Sequence, residues 1–465
     1  MSIQPIVLND VHSRLNATRV ERVIRPSAVE HVVRAVREAR AAGVPLSVAG
    51  CRHSMGGQQF ATGAWHLDMR SMNRFLGLDA ARRVVRVEAG MTWPELLKSL
   101  EAAQSGEAPI LTFRQKQTGA DDLTLGGAVS SNIHGRGLRW APLVADVESV
   151  TVVRADGEVV RASREVEGEL FRLVVGGYGL FGIVVEVKLR LVPRMRVERV
   201  VEVTGIDGVI GRFDARAAEG CVLGDFQFCP DESSEGFLRE GVFACYRPAT
   251  IAGSPPDAGL ELDGDDWKRL VVDAHHRKAE AWRSYTGHYL KTNGQHYSHD
   301  RAQLGHYDSD YARWVHEACP QLGPGSLMIT ELYVPHDHLE GFMAASAAEI
   351  RMHKASLVYG TIRLIEPDRE SFLPWARERF ACVVMNLRVA HSEDGLARAG
   401  AVFRGLIDRA LERNGSFFLT YHRWATGDQM RRAHPRIGEF FRLKRAHDPD
   451  EVFQSDWYRH WRSEF

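Results

Sequence analysis

The chain has 465 residues, enough for roughly two to four domain-sized units. Its 59 lysines and arginines balance 60 aspartates and glutamates, and a formal net charge of −1 excludes a broad electrostatic footprint for nucleic acid. With 44% hydrophobic and 26% charged residues, a sizeable core is expected and a disordered chain is not.

The opening "MSIQPIVLND" has no basic stretch followed by an apolar one, so no secretory leader is expected. No window approaches the length of about 20 apolar residues that a membrane helix needs. The six cysteines, Cys51, Cys221, Cys229, Cys245, Cys319 and Cys382, form no C-x-x-C pair. They argue against a zinc ribbon or a dithiol centre and fit a reducing, cytoplasmic setting. "AHH" (274–276) and "PHDH" (335–338) lack the spacing of helical metal ligands and read as exposed or loop histidines, so no metal is expected.

Residues 20–41 predict a strand, a Pro-Ser start with Ser27 as N-cap, and a helix with Val29, Val32, Val33 and Val36 on one face. "GVPLSVAG" predicts a short buried strand running into "AGCRHSMGG" (49–57), where His53 sits among small residues. "RVVRVEAGMTWPELLKSLEAA" repeats strand, Gly turn and helix, the helix opened by Thr92 and Pro94. "TLGGAVSSNIHGRG" (124–137) is a second small-residue loop, rich in short hydrogen-bonding side chains and ending at His134. The Asp-Gly pair in "VESVTVVRADGEVVRAS" (147–163) predicts a hairpin. "GYGLFG" (177–182) has the glycine spacing of a dinucleotide fingerprint but lies between a helix and a strand, the reverse of the required order. It reads as a tight turn beside a ligand.

Beyond residue 196 the strand candidates are "RVVEVTG", "GDFQFC", "LMITELYVP", "SLVYGTIRLI" and "FACVVMNLRV", with helices near 337–353 and 394–413. Between 246 and 318 a loop or linker precedes a segment rich in Trp, His and Tyr, which reads as a lid or an interface. The expected fold class is α+β. Domains are expected at 1–195, 196–418 with the lid at 246–318, and 419–465 returning to the first domain.

The ordered run "RPSAVEHVVRAVREARAAGVPLSVAGCRHS", "VRVEAGMTWPELLKSL", "LTLGGAVSSNIHGRG" and "GGYGLFGIVVEVKLRLVP" resembles the FAD-binding domain of the vanillyl-alcohol oxidase, or PCMH-type, flavoprotein superfamily. "RHS" is similar to the sugar-alcohol and aldonolactone oxidases, whereas "SSNIHG" and the tail "HPRIGEFFRLKRAHDPDEVFQSD" resemble the decaprenylphosphoryl-ribose oxidase branch. The resemblance implies a two-part FAD-binding domain and a substrate domain built on an antiparallel sheet with flanking helices. It implies FAD held by Ala49, Gly50, Cys51, Arg52, His53 and Ser54 on one side. Thr118, Gly119, Thr124, Gly127, Ser131, Asn132 and His134 would line the other, with Gly182 and Ile183 near the adenine. His53 would carry the flavin covalently.

Candidate catalytic residues under the same resemblance are His134, Glu331, Arg363, Asn386, Tyr421 and His422. Tyr421, His422 and His134 are each candidates for the base. Tyr421 and His422 are adjacent, so on a strand they would face opposite sides. The implied activity is oxidation of a CH–OH group of a sugar, polyol or lactone-like substrate by hydride transfer to the flavin, with O2 as acceptor giving H2O2. The alternative is a dehydrogenase or epimerase component using another acceptor, and a third reading is a scaffold that has lost the chemistry. The expected partners are a small hydroxylated substrate and an electron acceptor, without nucleic acid or a membrane span.

Overall fold

The computed structural model describes residues 6–105, 109–249, 259–305 and 310–465; part of the expected linker, 250–258, lies outside them. β1 (Ile6–Leu8) and β2 (Thr18–Val20) form an antiparallel pair. β3 (Arg22–Ile24), α1 (Val29–Ala42), β4 (Leu46–Ala49) and β5 (Trp65–Asp68) follow, and the strands make a parallel sheet in the order β3-β5-β4. α1 buries Val32, Ala35, Val36 and Ala39 and ends at Gly43, whose φ of 63° suits glycine. Its N-cap is Ala28 rather than the expected Ser27, because Ser27 is turned to the ring of His31, with Oγ 3.3 Å from Nδ1.

A second sheet takes β6 (Phe75–Asp79), β7 (Val84–Glu88), β8 (Leu111–Phe113), β9 (Val147–Val153), β10 (Val159–Ser163) and β11 (Ile183–Pro193). Its order is β10-β9-β11-β7-β6, with β8 on the end of β11. Between these strands lie α2 (Trp93–Ala103), α3 (Leu125–Ser131) and α4 (Gly168–Val174). α2 opens where Glu95 accepts from both the backbone N–H and the hydroxyl of Thr92, at 2.8 and 2.9 Å. The Asp-Gly hairpin forms between β9 and β10, with Gly157 at φ 80°. "GYGLFG" is the turn from α4 into β11, so no helix N-terminus follows it.

The third sheet is antiparallel and eight-stranded. It is built from β12 (Arg196–Gly205), β13 (Leu223–Phe228), β14 (Glu240–Pro248), β15 (His296–Ser298), β16 (Gly325–Pro335), β17 (Ser356–Ile365), β18 (Phe380–Ala390) and β19 (Ser416–Phe417). The order is β15-β12-β14-β13-β17-β18-β16-β19. α5 (Val209–Ala218), α9 (Leu339–Met352) and α10 (Glu393–Leu411) bury Phe213, Phe342, Ile350, Phe403 and Leu406 in the main core. The aromatic segment contributes α6 (Gly264–His276), α7 (Lys278–Lys291) and α8 (Tyr311–Ala318). "AHH" belongs to α6 rather than a loop: His275 is buried, its Nε2 2.6 Å from the Tyr311 hydroxyl.

α11 (Gly427–Ala433), α12 (Ile437–His447) and α13 (Asp456–Trp461) complete the chain. The tail returns to the first sheet. Leu46 N–H donates to Val452 at 2.7 Å, and Phe453 forms a parallel bridge to Leu46. Asp448 sets this turn by accepting from the N–H groups of Val452 and Phe453, at 2.9 and 2.8 Å, while paired with the buried Lys444 ammonium.

Candidate active site

A cavity of about 1110 Å³ lies between the loop after β4, the loop leading into α3, the inner face of the antiparallel sheet, and α6 and α7. It exceeds the roughly 300–1,000 Å³ of an ordinary small-molecule pocket. The two small-residue loops meet at its wall. A Cβ on Gly50 would stand 2.0 Å from Thr124 Oγ1, so only glycine lets the loops touch. Arg52 adopts φ 63°, which turns the chain at the centre of the first loop. Along this wall Arg52 Nε, Gln117 Oε1 and Thr118 Oγ1 are buried without hydrogen-bond partners among the described residues. Orphaned polar atoms beside a large cavity are what a polar ligand would satisfy.

Ala49, Gly50, Cys51, Arg52, His53, Ser54, Thr118, Gly119, Thr124, Gly127, Ser131, His134 and Gly182 line this cavity. Burial pushes the Cys51 thiol up to about 12, so it remains a thiol. His53 is held at both nitrogens, Nδ1 at 2.7 Å from His12 Nε2 and Nε2 at 3.0 Å from Asp122 Oδ1. Burial, then the neighbouring His53, brings His12 down to about 3, so His12 is a neutral ring. Neither His12 nor Asp122 was distinguishable in the sequence, where no spacing ties residue 12 to the loop.

Two expected cofactor residues do not line the cavity. Asn132, at φ 48°, caps α3. Its side chain donates to Asp368 at 2.8 Å and accepts from Val144 N–H at 2.9 Å, so it ties the loop to the protein. Ile183 packs in the core beneath the parallel sheet, and its neighbour Val184 faces the cavity instead.

Strand register assembles the opposite wall. β18 pairs Val384 with Glu331 of β16 and Thr361 of β17, and Cys382 with Tyr333 and Arg363. Asn386 pairs with Ile329 and Tyr359. Side chains alternate along a strand, so these rows share one face. Three separate sequence segments thereby bring Glu331, Arg363 and Asn386 to the cavity, where Tyr421 joins them.

Glu331 is the centre of that wall. It is 4% exposed and accepts from His134 Nε2 at 2.7 Å, from the Tyr333 hydroxyl, and from the Tyr421 hydroxyl at 3.2 Å. Burial raises its carboxyl, but the facing His134, with the Tyr333 hydrogen bond and Arg363, outweighs burial and holds it below the ordinary range. His134 Nδ1 faces the Gly135 carbonyl at 2.9 Å, and a carbonyl only accepts, so Nδ1 carries a proton. The 2.7 Å contact between Nε2 and Oε1 is a hydrogen bond, so a proton lies between these two atoms as well. Burial and Glu331 push the Tyr421 phenol well above its ordinary value, so it stays a neutral donor.

His422 points the other way. It stacks on Phe417 and meets Phe403 of α10 edge-on, and burial lowers it to about 3. Tyr421 and His422 thus face opposite sides, and only Tyr421 reaches the cavity. Lys116 also went unread in the sequence. Fully buried, it binds Asp121 at 2.7 Å and the Gln117 carbonyl at 2.8 Å, fixing the loop that carries Thr118 and Gly119.

Residues 20–163 match the family model of the FAD-binding domain. Over 95% of both chains the protein is 24% identical to decaprenylphosphoryl-beta-D-ribose oxidase of Mycolicibacterium smegmatis. The matched region is a PCMH-type FAD-binding domain. Other similarities of this flavoprotein are confined to part of the chain. It is 34% identical to cytokinin dehydrogenase 2 of Oryza sativa over 36% of its own length, but spans only 30% of that relative. Against L-gulonolactone oxidase of Bos taurus it is 26% identical over 42% of each chain. The small-residue wall with its unmet polar atoms fits the FAD that such a domain binds. Among the described residues, no helix is long and apolar enough to cross a membrane.

Proposed function

We propose that this flavoprotein oxidises a CH–OH group of a hydroxylated, sugar-, polyol- or lactone-like substrate, with O2 as acceptor giving H2O2. The observation that carries the reading is the Glu331–His134 pair, buried where the face of the antiparallel sheet meets the second small-residue loop at the cavity wall. FAD, when bound, supplies the hydride acceptor. Glu331 Oε2 accepts from the Tyr421 hydroxyl at 3.2 Å and has lone pairs left for a substrate hydroxyl. The hydroxyl proton is taken up at the Glu331–His134 pair, while Tyr421 orients the carboxylate. Asn386 adds a neutral donor and acceptor on the same face, which suits a polyhydroxylated molecule better than a phenol or steroid.

His53 is the residue we assign to covalent attachment. Its ring lies on the loop side of the cavity, with His12 and Asp122 fixing its orientation. The C-terminal segment, from 419 onward, functions with residues 1–195 as one cofactor-holding unit, and the segment 246–318, of which 250–258 and 306–309 lie outside the described residues, acts as the lid. A dehydrogenase using another acceptor is the second reading, favoured by the dehydrogenases among the partial relatives. Measuring peroxide against dye reduction during turnover separates the two. Stoichiometric H2O2 supports the oxidase, and dye reduction without peroxide supports the alternative. A purified protein that is colourless and takes up no flavin overturns both.

A further inference from the structure

Where the second small-residue loop meets β12, β13 and α7, the cavity wall is rich in buried and half-buried guanidinium groups. Arg136 is 8% exposed, and its contact with a carboxylate is a long one, Nη1 to Asp225 Oδ2 at 3.5 Å. Arg136 Nε and Asp225 Oδ1 are both buried without a hydrogen-bond partner among the described residues. Arg199 makes no ion pair among them; its Nε donates to the Tyr246 hydroxyl at 2.9 Å and its Nη1 to Thr292 Oγ1 at 3.0 Å. Its guanidinium lies over three tyrosine rings, 4.6 Å from the centroid of Tyr297 and 5.2 Å from those of Tyr246 and Tyr289. Arg136 lies over the same Tyr246 ring at 4.7 Å, so two cations share one aromatic plate. Nearer the dyad, Arg363 is 8% exposed with no hydrogen bond or ion pair among the described residues.

The lining carboxylates do not balance this charge. Asp121 is taken by Lys116, Glu331 by His134 and two tyrosines, and Glu261 is exposed. That leaves Asp225 against three arginines. Removing a guanidinium from water is unfavourable unless a counter-charge and hydrogen bonds replace the water. Its planar fork matches carboxylate and phosphate oxygens, and aromatic faces hold it without neutralising it. The position is also right for a substrate. Arg136 is two residues from His134 along an irregular loop, so their Cα atoms are at most about 7 Å apart.

We propose that the substrate carries an anionic group, a carboxylate or a phosphate, which binds between Arg136 and Arg199 while the hydroxyl to be oxidised lies at Glu331 and His134. The placement of the hydroxyl rests on the oxidation reading above; the binding of the anion does not. Three six-carbon probes separate the terms: neutral D-glucitol, D-gluconate with a carboxylate, and D-glucitol 6-phosphate. Each is titrated calorimetrically into the flavin-loaded protein, with flavin absorbance recorded in parallel.

At least one anionic probe is expected to bind tenfold or more tightly than glucitol, and which one it is identifies the anion. Arg136→Met and Arg199→Met should each weaken that anion about tenfold and leave glucitol unchanged, with flavin content intact. Arg136→Lys should retain part of the preference and covers the case in which Arg136→Met fails to fold. Equal affinity for all three probes, no binding by any, or anion affinity unchanged in the arginine variants overturns the proposal. So does loss of flavin, rather than of anion affinity, in those variants, because the arginines would then serve the cofactor. Anion binding without any bleaching of the flavin would instead overturn the oxidation reading and leave the subsite standing.

Discussion

Glu331 and His53 concentrate the chemistry in two side chains with different tests. Replacing Glu331 by Gln keeps its shape and removes its charge, leaving a neutral amide facing His134 Nε2. General-base contributions of this kind are about 10²–10⁴-fold, so Glu331→Gln should slow anaerobic flavin bleaching by roughly that factor while flavin stays bound. Bleaching at the wild-type rate would remove Glu331 from the proton path. For His53, the measurement is colour after denaturation and precipitation. Yellow should stay with the wild-type protein and leave with the supernatant in His53→Ala; colour retained in the variant would place the attachment elsewhere. Of the three base candidates legible in the sequence, only burial and direction separate them. His422 lies under α10, and Tyr421 is held as a neutral phenol. Nothing in "LTYHRWAT" reveals which neighbour faces inward.

Elements were read from the sequence more readily than their partners. The strands now labelled β16, β17 and β18 were visible as apolar runs, but their adjacency depends on long-range pairing that no local period encodes. The helix after "VERVIRP" was legible, whereas its cap was not, because Ser27 is turned to a histidine one helical turn on. Asn132 looked like a cofactor ligand for the same reason that it makes a good cap: a short polar side chain that tolerates a left-handed backbone. The loop 116–121 makes a direct prediction at this scale. Lys116 has no exposure, and Asp121 is its counter-ion. Removing one partner of a buried ion pair costs about 3–5 kcal/mol, so Asp121→Asn should lower stability by up to about that amount. The variant should also loosen the Thr118–Gly119 wall and thereby weaken flavin retention in any preparation lacking the covalent bond. Urea unfolding with and without bound flavin measures both.

Across the whole molecule, buried histidines set the acid limit. His66 is lowered to about 4, and His422 and His434 to about 3, in each case first by burial. Their unfolded value is near 6.5, so the unfolded chain binds more protons below that pH. Their contribution to stability is therefore intact above about pH 6.5 and falls as pH drops toward 4, by up to about 1.4 kcal/mol per unit for each ring. Urea midpoints should decline between pH 7 and pH 5, and His422→Phe should flatten the slope. A flat profile over that range would show that these rings are protonated in the folded protein.

The hydrogen bonds around the cofactor loop also order events in time. Met55 and Gly56 N–H both donate to the Thr420 carbonyl at 2.8 Å, and Leu46 receives its last strand partner from Phe453. On a ribosome, the loop therefore emerges hundreds of residues before the segment that pins it. The wall facing the flavin cannot close until the segment around Thr420 has emerged, and its contacts are among the most sequence-distant of the described residues. Cofactor loading then waits for this late segment, and a chain stalled before Thr420 would lack the contacts that pin the loop.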